Sequence, residues 1–378
     1  MKTVITLVSV LLILAILLDA FETVVLPRRV TRRVRLARAF YRVTWIPFAA
    51  IARRIKSNKR REGFLGFFGP LSLIMLLIVW AVGLVAGFGV LHWSLGSRLN
   101  INDGQVNLGS YFYFSGTTFF TLGYGDITAA ETLARVLAIL EAGLGFGFLA
   151  LIIGYLPVIY QAFSRREASI TLLDARAGSP PSAAELLRRH GQNIADLDRL
   201  LYNWERWAAE LMESHLSYPV LCYYRSQHNN QSWLTALTAV LDASALVMVG
   251  VDGVSKRQGQ LTFAMARHAV VDLAQIFNTP PREITSDRLS NEEHNRLRSF
   301  LSVAGVKLAV GDDADAKLSE LRRMYEPYVK SLADYLLVTL PVWAPTAEVF
   351  DNWQTSAWGR ISSLVEAPPC ASQEEEHF

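Results

Sequence analysis

Cysteine is scarce: two in 378 residues, Cys222 and Cys370, far apart and without metal-ligand neighbours. That excludes a disulfide scaffold and gives no zinc pattern. Acids are missing from one long stretch. Between Arg28 and Arg61 stand thirteen Lys/Arg and no Asp or Glu, although the net charge is only +3. From Arg165 onward the balance reverses, with 21 basic against 27 acidic residues. No nucleophile–base–acid arrangement and no phosphate-binding loop is found. "GYGDIT" (123–128) lacks the third glycine of a dinucleotide fingerprint, and "GLGFGF" (143–148) lies inside an apolar run.

What is abundant is apolar sequence, unevenly placed. Half the residues are hydrophobic and the mean hydropathy is +0.24. Three segments, Val4–Val25, Phe67–Leu91 and Leu133–Tyr160, each reach the roughly 20 residues needed to cross a hydrocarbon core. A fourth, Trp233–Val251, contains Asp242 among amphipathic sequence and reads as a buried helix of a soluble domain. The first segment has the short basic start of a secretory leader, its rival reading. It lacks a small-x-small cleavage site, and Asp19 and Glu22 suit a helix end facing the basic stretch, so a retained helix is expected.

The basic block between two membrane-length segments admits a nucleic-acid reading. Its position favours a cytoplasmic linker, so no nucleic-acid partner is expected. Arginines mixed with Val, Leu, Phe, Tyr and Trp suit helices at the inner membrane surface, with Arg28, Arg29, Arg32, Arg33 and Arg35 on anionic headgroups. The positive-inside bias then places the N-terminus outside and the C-terminal half in the cytoplasm of a multi-pass cell-membrane protein. The loop between the second and third spans faces outward. None of the spans carries arginine at every third position, so an intrinsic voltage sensor is not expected.

That loop holds "YFYFSGTTFF" (111–120), too short to span and too apolar for an exposed turn. A half-helix dipping into the membrane and returning extended accounts for it, provided that the backbone lines a water-filled path. A dehydrated cation needs stacked carbonyl oxygens, and glycine tolerates the dihedrals that align them. Gly123 and Gly125 alternate with Leu122 and Tyr124; Thr121 adds a hydroxyl, and Asp126 a charge.

The pattern Ser115-x-x-Thr118-x-x-Thr121-Leu122-Gly123-Tyr124-Gly125-Asp126 resembles the pore helix and selectivity filter of potassium channels, over roughly residues 67–165. The resemblance implies K+ sites formed by the carbonyls of Thr121, Leu122, Gly123 and Tyr124, a homotetramer, and permeant K+ as the only ion, with no cofactor. Two departures stand out. Leu122 replaces a more usual valine, and Thr117 occupies the place where many members carry an acid paired to the filter aspartate. Glu141, an ionisable group inside a span, is expected to take over that support, bonded near Thr117 or Thr118. Gly145, 22 residues after Gly123, matches the place of a hinge glycine, and Pro157 is expected to kink the same helix. Close helix packing is the other reading of the glycines.

The expected organisation is an all-α membrane protein: an N-terminal spanning helix (1–26), a basic linker (27–65) and a pore module (66–165). Within the module lie an outer helix (67–91), pore helix (110–120), filter (121–126) and inner helix (133–162). A helical cytoplasmic domain (166–370) and a disordered tail (371–378) follow. In the cytoplasmic half, Ser182/Glu185 and Ser290/Glu293 signal helix starts, and helices are expected at 193–214, 232–250, 260–277 and 314–340. "HLSYPVLCYYRSQHNNQSW" (215–233) gathers His215, Cys222, Arg225 and His228, read as a packed helix junction. Gating routes offered by the sequence are anionic lipid, pH through Glu141, and an unidentified ligand of the helical domain. The competing class is a receptor or enzyme that uses the pore module as an anchor.

Overall fold

The computed structural model describes residues 1–26, 35–101, 105–190, 195–228, 230–282 and 287–345. The expectations for Arg28, Arg29, Arg32 and Arg33, for residues 346–370 and for the tail lie outside these. The chain is an all-α membrane protein with one short β-hairpin among the described residues. It divides into two compact units: Met1–Ala162 with Val220–Tyr224, and Phe163–Pro219 with the chain from Arg225.

In the first unit, α1 (Lys2–Ala20) is apolar, with neither glycine nor proline, and continues as one wider turn over Phe21–Val25. It packs along α4 (Phe68–Leu95), where Ile13 and Ile16 join Leu76, Trp80, Leu84 and Phe88 in a buried cluster. Between them lie α2 (Leu36–Arg54) and α3 (Asn58–Gly66). Helix α2 buries Ala37, Trp45, Ala49 and Ala52 on one side and leaves Val43, Ile46 and Ile51 exposed. Arg35 pairs with Glu22 at 3.7 Å and donates to Thr23 Oγ1 at 3.0 Å. Trp45 meets Phe68 and Tyr223 with ring centroids 4.8 and 5.0 Å apart, so the Val220–Tyr224 segment is part of this aromatic core. The outer helix runs past the expected Leu91 to Leu95, where Gly96 at φ 70° stops it in the left-handed conformation. The pore helix α5 is Leu108–Phe119. Strands β1 (Leu99–Ile101) and β2 (Ile127–Ala129) pair antiparallel across its two flanks.

The inner helix does not end at 162: α6 is continuous from Thr132 to Ala177, through Pro157. Its extension is amphipathic, burying Ile170, Leu173 and Ala177, which is why it persists.

The second unit adds α7 (Ala183–His190), α8 (Ala195–Ser217), α9 (Trp233–Gly250), α10 (Lys256–Phe277), α11 (Asn291–Val303), α12 (Asp312–Arg323) and α13 (Glu326–Leu336). Ser182 and Ser290 accept from the Glu185 and Glu293 amides at 3.2 and 3.3 Å. The single helix expected over 314–340 is two, because Pro327 favours a fresh start in the first turn of α13. Among the described residues, four helices are long and apolar enough to cross a membrane: Lys2–Val25, Asn58–Leu95, Thr132–Ala177 and Trp233–Gly250. The last is α9, buried from Trp233 to Val247 inside the second unit. Its Asp242 meets Arg288 at 2.6 Å and the Tyr325 hydroxyl.

Candidate functional site

The site is built on α4, α5 and α6 with the paired strands β1 and β2. Register Leu99↔Ala129, Asn100↔Thr128 and Ile101↔Ile127 brings the ends of the re-entrant segment together. Asn107 caps α5 reciprocally with Ser110, satisfying amides that would otherwise be orphaned. The Tyr111 hydroxyl donates to the Ser97 carbonyl at 2.9 Å, and Phe114 packs with Leu99.

Helix α5 ends in a Schellman arrangement. The Leu122 amide donates to the Thr117 carbonyl at 2.8 Å and the Thr121 amide to the Thr118 carbonyl at 3.0 Å. Thr121 therefore sits at φ 55°, a position glycine usually fills. The left-handed conformation then recurs at every second residue, at Gly123 (φ 55°) and Gly125 (φ 81°), but not at Leu122 or Tyr124. A left-handed residue at every second position is the backbone pattern that can turn successive carbonyls to one side of a strand. The Gly123 amide also reaches the Thr117 carbonyl at 3.3 Å, so amides at the start of the strand face the pore helix. Residues 121–126 are all exposed in the single chain.

Behind the pore helix, Glu141 of α6 is fully buried and hydrogen-bonded to Ser115, not to Thr117 or Thr118. Thr117 Oγ1 instead donates to the Phe114 carbonyl of its own helix at 3.0 Å. Ser115 Oγ also bonds the Val85 carbonyl of α4 at 2.8 Å. His92 of α4, absent from the sequence-based candidates, is equally buried, with Nε2 3.8 Å from Glu141 Oε2 and Nδ1 3.1 Å from Ser97 Oγ. A polar ring in an otherwise apolar span was the available signal. Asp126 faces the phenol of Tyr113, one turn before Thr117 on the pore helix.

Gly145 lies against the end of α5: a Cβ there would stand 1.8 Å from the Phe119 carbonyl oxygen. Pro157 lies within unbroken helix. Of the five arginines expected on headgroups, Arg35 is described and binds Glu22 and Thr23. In the 215–233 cluster, His215 is buried against Arg166, Cys222 is buried, and Arg225 donates to the Leu336 carbonyl. No group of three His, Cys, Asp or Glu suited to a metal ion occurs among the described residues.

Two apolar spanning helices bracketing a short buried helix and an extended return strand define a membrane pore module. Residues 73–161 match the family model described as "Ion channel", and over them the chain is an ion-channel pore module within a multi-pass membrane protein. An uncharacterized membrane protein, YdjJ, of Bacillus subtilis is 22% identical over 215 residues, 56% of this chain. The match spans 62% of that relative's length. No solved structure matches the chain.

Proposed function

We propose that the protein is a K+-selective channel, formed by four copies around one axis, passing K+ passively through Thr121–Leu122–Gly123–Tyr124–Gly125–Asp126. The observation that carries this reading is the left-handed backbone at Thr121, Gly123 and Gly125, directly after a buried half-helix. A non-glycine residue held there costs about 1–2 kcal/mol, so the conformation is kept for a reason. Carbonyls of Thr121, Leu122, Gly123 and Tyr124 aimed to one side replace the hydration shell of a dehydrated cation, and the Thr121 hydroxyl completes the inner site.

One strand covers only one side of an ion, and here residues 121–126 lie bare. Helix α6 likewise exposes Val136, Ile139, Phe146, Leu149, Ile153 and Tyr160 over a wide arc, more than a lipid-facing side alone requires. Further copies would cover both. Ser115 and Glu141 brace the pore helix, with Thr117 and Thr118 carbonyls holding the filter amides; Gly145 and Pro157 are the candidates for movement of the inner helix. The N-terminus is outside, the second unit is cytoplasmic and regulatory, and the basic linker contacts anionic headgroups.

Full-length protein in liposomes should show barium-blocked K+ flux far exceeding Na+ flux, abolished by Gly123→Ala. Its absence from a folded tetramer, or equal Na+ flux, would refute the proposal.

A further inference from the structure

Glu141, Ser115 and His92 form one connected cluster joining α4, α5 and α6. Ser115 Oγ bonds two oxygens, the Val85 carbonyl at 2.8 Å and Glu141 Oε1. A serine hydroxyl carries one proton, and a carbonyl can only accept. With the serine proton on Val85, the proton of the other bond comes from the Glu141 carboxyl. Glu141 Oε2 is then a plain carbonyl oxygen. It faces His92 Nε2 at 3.8 Å, just beyond hydrogen-bond length, and neither atom has another partner among the described residues. With Ser97 Oγ, 3.1 Å from Nδ1, donating to that nitrogen, the imidazole proton sits on Nε2 and points toward Glu141.

We propose that Glu141 donates to Ser115 and Ser115 to the Val85 carbonyl in a one-way chain of hydrogen bonds, with His92, paired to Ser97, facing Glu141 Oε2 at 3.8 Å without bonding it. Glu141 is protonated at the head of this chain, which positions the pore helix against both spanning helices. The consequence for conduction rests on the K+-channel reading; the protonation itself does not. The chain is neutral throughout, as a dry interior favours. Among the described residues no Lys or Arg pairs with Glu141. Glu131 accepts from the Arg98 backbone amide, Arg135 donates to the Ala129 carbonyl, and Asp19 is engaged by Ala37 and Trp80. Helix α1 faces this end of α4 with Thr6, which bonds Ser94, and α5 contributes no charged side chain. If the carboxyl proton is removed, the serine proton must serve either Glu141 or Val85. One of the two helix ties is then lost, and a charge is left buried.

The test uses the full chain in liposomes. Infrared difference spectra should show a protonated-carboxyl stretch at neutral pH that is absent from Glu141→Gln. K+ flux should fall as pH is raised. Glu141→Gln, whose amide donates to Ser115 and turns its oxygen toward His92, should keep flux within about twofold and lose the alkaline fall. Ser115→Ala should lower flux about tenfold by leaving buried partners unmatched. A wild-type spectrum without that band, or a Glu141→Gln protein with the wild-type pH profile, would overturn the proposal. If wild-type protein passes no K+, the channel reading fails while the infrared band still decides the protonation.

Discussion

Gly145 of the inner helix and Phe119 of the pore helix are in backbone contact: a Cβ on Gly145 would lie 1.8 Å from the Phe119 carbonyl oxygen and 2.8 Å from its carbon. The obstacle is main chain at the end of α5, which cannot swing aside as a side-chain tip can. Gly145→Ala should therefore displace α6 or residues 119–121 and destabilise the chain by about 1–3 kcal/mol, the usual range for overpacking. Gly143 and Gly147 have nothing within 4 Å of an added Cβ. Alanine there should gain up to about 1 kcal/mol from helix propensity. Thermal unfolding of the three variants in detergent separates these outcomes. Equal effects at all three sites would show that helix flexibility, rather than contact with Phe119, is what Gly145 contributes.

Asp19 at the end of α1 ties two other helices. Its Oδ2 accepts from the Ala37 amide in the first turn of α2 at 3.0 Å and from Trp80 Nε1 of α4 at 3.1 Å. A carboxylate at a helix N-terminus satisfies an orphan amide and complements the dipole. Asp19→Ala leaves two buried donors unmatched and should cost about 1–3 kcal/mol; Asp19→Asn keeps an acceptor and should cost less. Tryptophan fluorescence on thermal unfolding reads both. A loss for asparagine as large as that for alanine would mean that charge, not hydrogen bonding, is what the position requires.

Order and type of the membrane elements are legible in the sequence because length and apolarity act locally, and so is the glycine alternation of residues 121–126. What the sequence hides depends on rotation about helix axes and on distance in space. Glu141 stands out as an acid in a span, but whether it meets Ser115 or Thr117 is set by how α5 and α6 pack. The packing sets Ser115 against Glu141, while Thr117 turns its hydroxyl to its own helix. His92 lies 49 residues away in sequence, so only the fold brings it to Glu141. The split at Pro327 was locally readable; the run of α6 to Ala177 needed the amphipathic pattern weighed against the expected end at the membrane surface. Asp242 marks α9 as a core helix, yet its partner Arg288 lies in a short irregular segment with no pattern of its own.

That partnership is the most exposed weakness of the second unit. Asp242 is fully buried and meets Arg288 and Tyr325, while Arg288 also reaches Glu326 at 3.1 Å and lies over the Trp343 ring. Burial works against the Arg288 charge, but Asp242, Tyr325 and Glu326 together outweigh it and hold the guanidinium pKa above its ordinary value. Arg288→Met should destabilise the unit by about 3–5 kcal/mol by stranding Asp242, and Asp242→Leu with Arg288→Met should recover much of that. Limited proteolysis and thermal unfolding of the full chain report it; a double variant as weak as the sum of the single ones would show that the pair is not coupled.

His215 gives the same unit a dependence on pH. Burial pushes its pKa well below the ordinary 6.5, and the Arg166 guanidinium pushes it further. Arg166 Nη1 stands 3.2 Å from Nε2, which accepts from it, so a second imidazole proton would face that charge directly. In the unfolded chain His215 takes up a proton as pH falls through about 6.5, whereas the folded protein does not until lower pH. The unfolded state therefore binds more protons in that window, and stability declines on acidification by up to about 1.4 kcal/mol per pH unit. Above the ordinary histidine pKa this residue contributes no slope. Glu185 and Asp287 add losses at still lower pH, because their arginine partners, working against partial burial, hold both carboxyls below their ordinary values. His215→Gln keeps an acceptor for Arg166 without a titrating proton. Its unfolding midpoint should change less than the wild-type value between about pH 7.5 and 5.5. Parallel declines in the two proteins would assign the acid sensitivity to another group.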